Sequence, residues 1–113
     1  HALEALTDFR VYRHGEAVSI GMVSACLIGE EVGLTPPDVT EAVAAALRCV
    51  GLPAALPPAP SADALLVAMR RDKKTIAGTP RFVLVERIGA ARASVEVPDS
   101  AVRAALERQQ TLS

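Results

Sequence analysis

The residues best suited to chemistry are His14 and Glu16, in the run His14-Gly15-Glu16-Ala17-Val18-Ser19-Ile20-Gly21-Met22. They stand where a loop becomes the first turn of an apolar segment, so a metal ligand or acid-base group here would be held by packed structure. Taken alone, a histidine at a helix start is more often a solvent-facing or hydrogen-bonded residue, and Glu16 has a plain role as a favourable charge at a helix N-terminus. His1, the only other histidine, reads as a helix-surface residue sharing a face with Glu4 or Ala5. Arg70, Arg71, Lys73 and Lys74 place four cations within five residues. A solvated helix C-terminus explains them, since positive charge is favoured there. Their functional reading is an anion site in which Lys73 or Lys74 donates charge-assisted hydrogen bonds to a phosphate or carboxylate. Two histidines and two cysteines without a CxxC pair do not make a zinc site unless distant residues or another segment contribute. Cys26 and Cys49 are expected to be reduced, buried thiols of a cytoplasmic protein. There is no glycine-rich phosphate loop, GxSxG elbow or cysteine nucleophile context.

The elements that must position these groups read as follows. A helix covers His1 to Leu6, and a loop from Asp8 to Arg13 delivers the chain to His14. The main helix, Ala17 to Ile28, is apolar nearly all the way round and should be buried on most sides. Ala17, Gly21, Ala25 and Gly29 form a stripe of small residues, and Gly21 in mid-helix favours close packing of another backbone against it. Gly33 stops this helix. Thr35 as N-cap and Pro36 at the first helical position start the next, with Val39, Val43, Ala46, Leu47 and Val50 on its buried stripe and Gly51 at its end. Leu52 to Pro60 holds four prolines, Pro53, Pro57, Pro58 and Pro60. It reads as an extended connector across the surface. Ser61 caps a third helix that buries Leu65, Leu66 and Met69. After the turn signals Gly78 and Pro80, Arg81 to Glu86 and Ala91 to Val97 pair as a hairpin broken at Ile88-Gly89-Ala90. A last helix follows Pro98-Asp99-Ser100 with Val102, Ala105 and Leu106 inward.

The expected fold is therefore mainly α, a helical domain with a small β-hairpin, and at 113 residues it forms one domain. Ala, Val and Leu dominate the hydrophobic half of the composition, with Phe9, Phe82 and Tyr12 the only aromatics, which suits closely packed helices. A net charge of -1 gives no footprint for nucleic acid or an anionic membrane. The longest apolar run, about 12 residues, is well short of a bilayer span. The opening His1-Ala2-Leu3-Glu4-Ala5-Leu6 is helical without an N-cap signal, so the chain is expected to be a fragment whose missing part lies on the N-terminal side.

Several of these motifs, in this order, resemble the 3-dehydroquinate synthase family. They are His1-Ala2-Leu3-Glu4-Ala5, then His14 to Met22 thirteen positions later, Gly51-Leu52-Pro53, Met69, Asp72-Lys73-Lys74, Arg81 to Val85 and Ile88-Gly89. The resemblance spans nearly the whole chain, although the HGEAV element is shared with related sugar phosphate cyclases. It implies the helical C-terminal domain of an enzyme whose N-terminal, Rossmann-like domain binds NAD and is absent here. It further implies that His14 is a zinc ligand, that His1 contacts the substrate phosphate, and that Lys73 or Lys74 binds an anion. The family's other two zinc ligands, an earlier glutamate and a histidine four residues before His1, are not in this chain. Neither zinc nor NAD is therefore expected to bind the fragment tightly.

For the complete enzyme the resemblance implies a lyase of the shikimate pathway, a homodimer serving aromatic amino acid biosynthesis. It would cyclise a seven-carbon phosphorylated keto acid by transient oxidation, phosphate loss, re-reduction, ring opening and aldol closure. Zinc would act as a Lewis acid and NAD would carry the hydride. Two other readings stand beside this one. The first is a related cyclase, of the amino-dehydroquinate or deoxy-inosose synthase type. The second is a non-catalytic helical interaction module, in which His14 and the lysines are surface groups and no large apolar face is left bare.

Overall fold

The computed structural model of the chain describes residues 1–8, 10–71, 75–76 and 79–112. Five helices and a small antiparallel sheet follow one another as α1 (Ala2–Leu6), α2 (His14–Glu31), α3 (Pro37–Cys49), α4 (Ala62–Arg70), β1 (Thr75–Ile76), β2 (Thr79–Arg87), β3 (Ala90–Glu96) and α5 (Asp99–Gln110). The mainly helical fold with a hairpin is the one expected, and the two-residue β1 extends the hairpin to the strand order β1-β2-β3. Helix α2 is the element around which the rest is packed, touching α1, α3, α5 and β2.

At its start, the Glu16 carboxylate accepts from the Arg13 backbone N–H at 2.8 Å. This is the Glu half of a capping box; Arg13 has no acceptor with which to complete it. At its end Gly33 adopts φ +75, and Leu34 N–H donates to the Gly29 carbonyl at 2.8 Å. Ile20, Val23, Leu27 and Ile28 face the core with Leu84 of β2 and Val102, Ala105 and Leu106 of α5. The helix is less buried than its composition indicated. Val18, Gly21 and Met22 are exposed on the side opposite that core.

Four further expectations need correction. Thr35 is not an N-cap; helix α3 begins after Pro36, and Thr35 turns inward, 4 % exposed, to donate its hydroxyl to the Val85 carbonyl at 2.5 Å. The buried face of α3 is Val39, Thr40 and Ala44, while Ala46 and Val50 are exposed, because this helix packs chiefly on α2. The proline-rich segment is more than a surface connector, since Ala54 and Leu56 enter the core. Cys49 is exposed, whereas Cys26 is buried as expected.

The proline-rich segment is held by a residue the apolar pattern does not single out. Gln109, fully buried on α5, donates through Nε2 to the Ile20 and Ala54 carbonyls, each at 2.8 Å. Its Oε1 accepts from the Ser24 hydroxyl at 2.5 Å, and its backbone carbonyl accepts from Leu56 N–H at 3.1 Å. One amide thus joins α2, α5 and the segment between α3 and α4. Ser61 caps α4 as anticipated, accepting from Ala64 N–H at 3.1 Å. In the hairpin, Gly89 takes φ +90 at the turn, and a register shift between Phe82 and Leu84 accommodates Ser94 at φ 54.

Two outcomes follow. Gln109→Leu leaves the buried Ala54 carbonyl without the amide that meets it and is expected to cost about 2 kcal/mol in urea unfolding. Burial, followed by the nearby Glu30, pushes the Cys26 thiol pKa up and keeps it protonated. A thiol reagent is expected to titrate Cys49 in the native chain and Cys26 only after unfolding.

Candidate functional site

Helix α1 and the first turn of α2 are joined by a contact between two polar side chains. His14, the first residue of α2, places Nδ1 3.2 Å and 3.4 Å from the two carboxylate oxygens of Glu4. The Glu4 side chain is only 9 % exposed and the His14 side chain 73 %. The carboxylate is held beneath the imidazole by α1, whose Leu3 is part of the core. A carboxylate can only accept, so Nδ1 carries a proton towards Glu4, and in the neutral ring Nε2 then holds the lone pair. Among the described residues no protein group engages Nε2. An exposed imidazole nitrogen backed in this way is suited to a metal ion.

Next to this pair lies a cavity of about 410 Å³. His1, the N-cap of α1, is in its wall, together with Ala17, Gly21 and Ala25 of α2 and Arg81 and Phe82 of β2. The stripe of small residues is thus divided by function. At Gly21 a Cβ would meet nothing within 4 Å, so close backbone packing is not what glycine serves there. At Gly29 a Cβ would collide with the Thr35 side chain. His14 is not itself in the cavity wall; it stands one helical turn before Ala17, which is.

The structure joins His14 to Glu4, which lies one turn beyond His1 on α1. Lys73 and Lys74 lie outside the described residues. Arg81 extends the polar wall: its guanidinium donates to Glu96 Oε1 at 2.6 Å and to the Ser94 carbonyl at 3.2 Å, while its buried Nε has no partner among the described residues. The sequence placed Glu4 beside His1 and Arg81 at the start of a strand, both within motifs of the resemblance, without a role at the site for either. Glu4 had a signal available, as an acid in the middle of the otherwise apolar Ala2 to Leu6. No group of three or more His, Cys, Asp and Glu side chains suited to a metal occurs among the described residues.

A mainly helical domain with a small antiparallel sheet, holding one carboxylate-backed histidine near a mostly apolar cavity, is the class that the fold and the site define. The chain belongs to the 3-dehydroquinate synthase family. A family model described as 3-dehydroquinate synthase C-terminal matches residues 1–75. Among curated relatives, the 3-dehydroquinate synthase of Nostoc punctiforme is 42 % identical over 107 residues, 95 % of this chain and 30 % of the relative. That of Acidithiobacillus ferrooxidans is 40 % identical over the same share of this chain, and that of Xylella fastidiosa 41 % identical over 91 % of it. The chain thus spans about 30 % of the length of these relatives.

The two glycines give opposite expected outcomes. Gly21→Ala should stabilise the chain by about 1 kcal/mol through helix propensity, because nothing opposes the methyl group. Gly29→Ala should destabilise it by about 2 kcal/mol or more, because the Thr35 hydroxyl is committed to Val85 and cannot withdraw freely. Thermal melts of the two variants distinguish these signs.

Proposed function

We propose that this chain is the metal- and substrate-binding C-terminal part of a 3-dehydroquinate synthase that uses zinc and NAD. In that reading it acts with an N-terminal domain on a seven-carbon phosphorylated keto acid, as a cytoplasmic homodimer. The observation that carries the reading is the exposed imidazole of His14, one turn before the cavity-lining Ala17, with Nδ1 on a buried carboxylate and no protein group among the described residues on Nε2. This donor fits zinc, which takes neutral imidazole nitrogen readily.

In this mechanism His14 would hold the metal through Nε2, with the remaining ligands supplied by other parts of the enzyme. When bound, zinc supplies Lewis-acid polarisation of the substrate oxygens being oxidised and reduced. His1, in the cavity wall, would bind the phosphate and orient it for departure. Lys73 or Lys74 would add a cation for the same anion or the carboxylate. The small residues Ala17, Gly21 and Ala25 leave room for a substrate beside α2. Exposed Val18 and Met22 fit coverage by another part of the enzyme, since apolar surface of this kind favours an interaction site.

Because the chain carries one of the three expected ligands, the 113 residues alone should neither turn over substrate nor retain NAD. In a full-length synthase containing this segment, His14→Ala is expected to lower bound zinc well below one equivalent and to remove dehydroquinate formation. His1→Ala is expected to keep the zinc and lose activity. Full zinc occupancy and turnover in His14→Ala would exclude the assignment.

A further inference from the structure

We infer that Glu4 is a positioning residue for the metal ligand: it holds the His14 ring in one tautomer and one orientation, so that Nε2 is presented to zinc. The inference rests on the reading of His14 as a zinc ligand and adds to it a role for a second residue of this chain. Three observations carry it. The Glu4 carboxylate is buried, and its side-chain partner among the described residues is His14. Both carboxylate oxygens lie within 3.4 Å of Nδ1, so rotation of the carboxylate does not release the ring. The residue that anchors Glu4 to the core, Leu3, is its neighbour on α1, which makes the support rigid on one side of an otherwise exposed imidazole.

A carboxylate is costly to bury unless it is paired. Here the burial has a use that helix packing alone does not require. With Nδ1–H committed to an acceptor, the Nε2 lone pair is fixed outward and its basicity rises, which strengthens a bond to a metal. Glu4 touches neither substrate nor cofactor in this scheme and acts only through His14. It also ties α1, where His1 begins, to the first turn of α2, so the phosphate-binding and metal-binding groups proposed above share one brace.

The test uses a full-length synthase containing this segment, with zinc affinity measured by chelator competition and the His14 ring proton located by nitrogen NMR of the metal-free enzyme. Glu4→Ala is expected to weaken zinc binding by about 10- to 100-fold and to shift the ring proton from Nδ1 towards Nε2. Glu4→Gln preserves the volume and one acceptor oxygen, and is expected to fall between wild type and Glu4→Ala on both measures. Wild-type zinc affinity in Glu4→Ala with the proton still on Nδ1 overturns the inference. So does wild-type affinity in Glu4→Gln if the alanine variant does not fold. His14→Ala separates the two levels: loss of zinc there with none in Glu4→Ala removes the role of Glu4 alone, whereas retention of zinc in His14→Ala removes the reading on which it rests.

Discussion

The buried side-chain amide of Gln109 is the interaction on which the arrangement of the chain depends. A fully buried primary amide is tolerated only when its donors and acceptor are satisfied, and here they are met by Ile20, Ala54 and Ser24. These partners come from α2 and from the proline-rich segment, so the amide fixes α5 against α2 and draws an irregular stretch into the core. Apolar contact alone would allow α5 to slide or turn on α2; directional bonds to carbonyls on two elements allow one seating. The cavity opens beside that contact, with Ile20, Ser24 and Ile28 of α2 and Leu106 of α5 in its wall, so the seating of α5 on α2 also shapes the cavity.

The second constraint is that His14, exposed as it is, does not stand alone. Its ring is braced from α1 by Glu4, and α1 in turn packs on α4 and α2. Glu4, one turn beyond His1 on α1, thus meets His14 across ten positions of sequence. Ala17, Gly21 and Ala25 then keep the adjoining face of α2 low. Gly29, at the other end of the same stripe, serves packing, since Thr35 occupies the space a side chain would need. One periodic pattern therefore has two outcomes, an open cavity beside Gly21 and close contact at Gly29.

The elements legible in the sequence were those set by local rules. The hairpin turn at Gly89, the end of α2 at Gly33, the Ser61 cap and the inward stripe of α5 all depend on residues within a few positions of one another. The features that escaped depend on partners far along the chain: Thr35 reaches Val85 across 50 positions, and Gln109 reaches Ile20 across 89. Propensity made Thr35 a good N-cap, and tertiary packing on Gly29 overrode it. At the site, the motif order pointed to His1, His14 and the lysine pair. Glu4 stood out as an acid among apolar residues, but its partner could not be read, because helical spacing says which residues share a face and not which residue of another helix meets them.

The central claim, that this chain contributes one oriented zinc ligand to a dehydroquinate synthase, is tested most directly by the zinc coordination geometry of a full-length enzyme containing it. A crystal structure of the zinc-loaded enzyme is expected to place His14 Nε2 about 2.0–2.1 Å from the metal, with Nδ1 still on Glu4. A fully coordinated zinc with His14 outside its ligand sphere would contradict the claim.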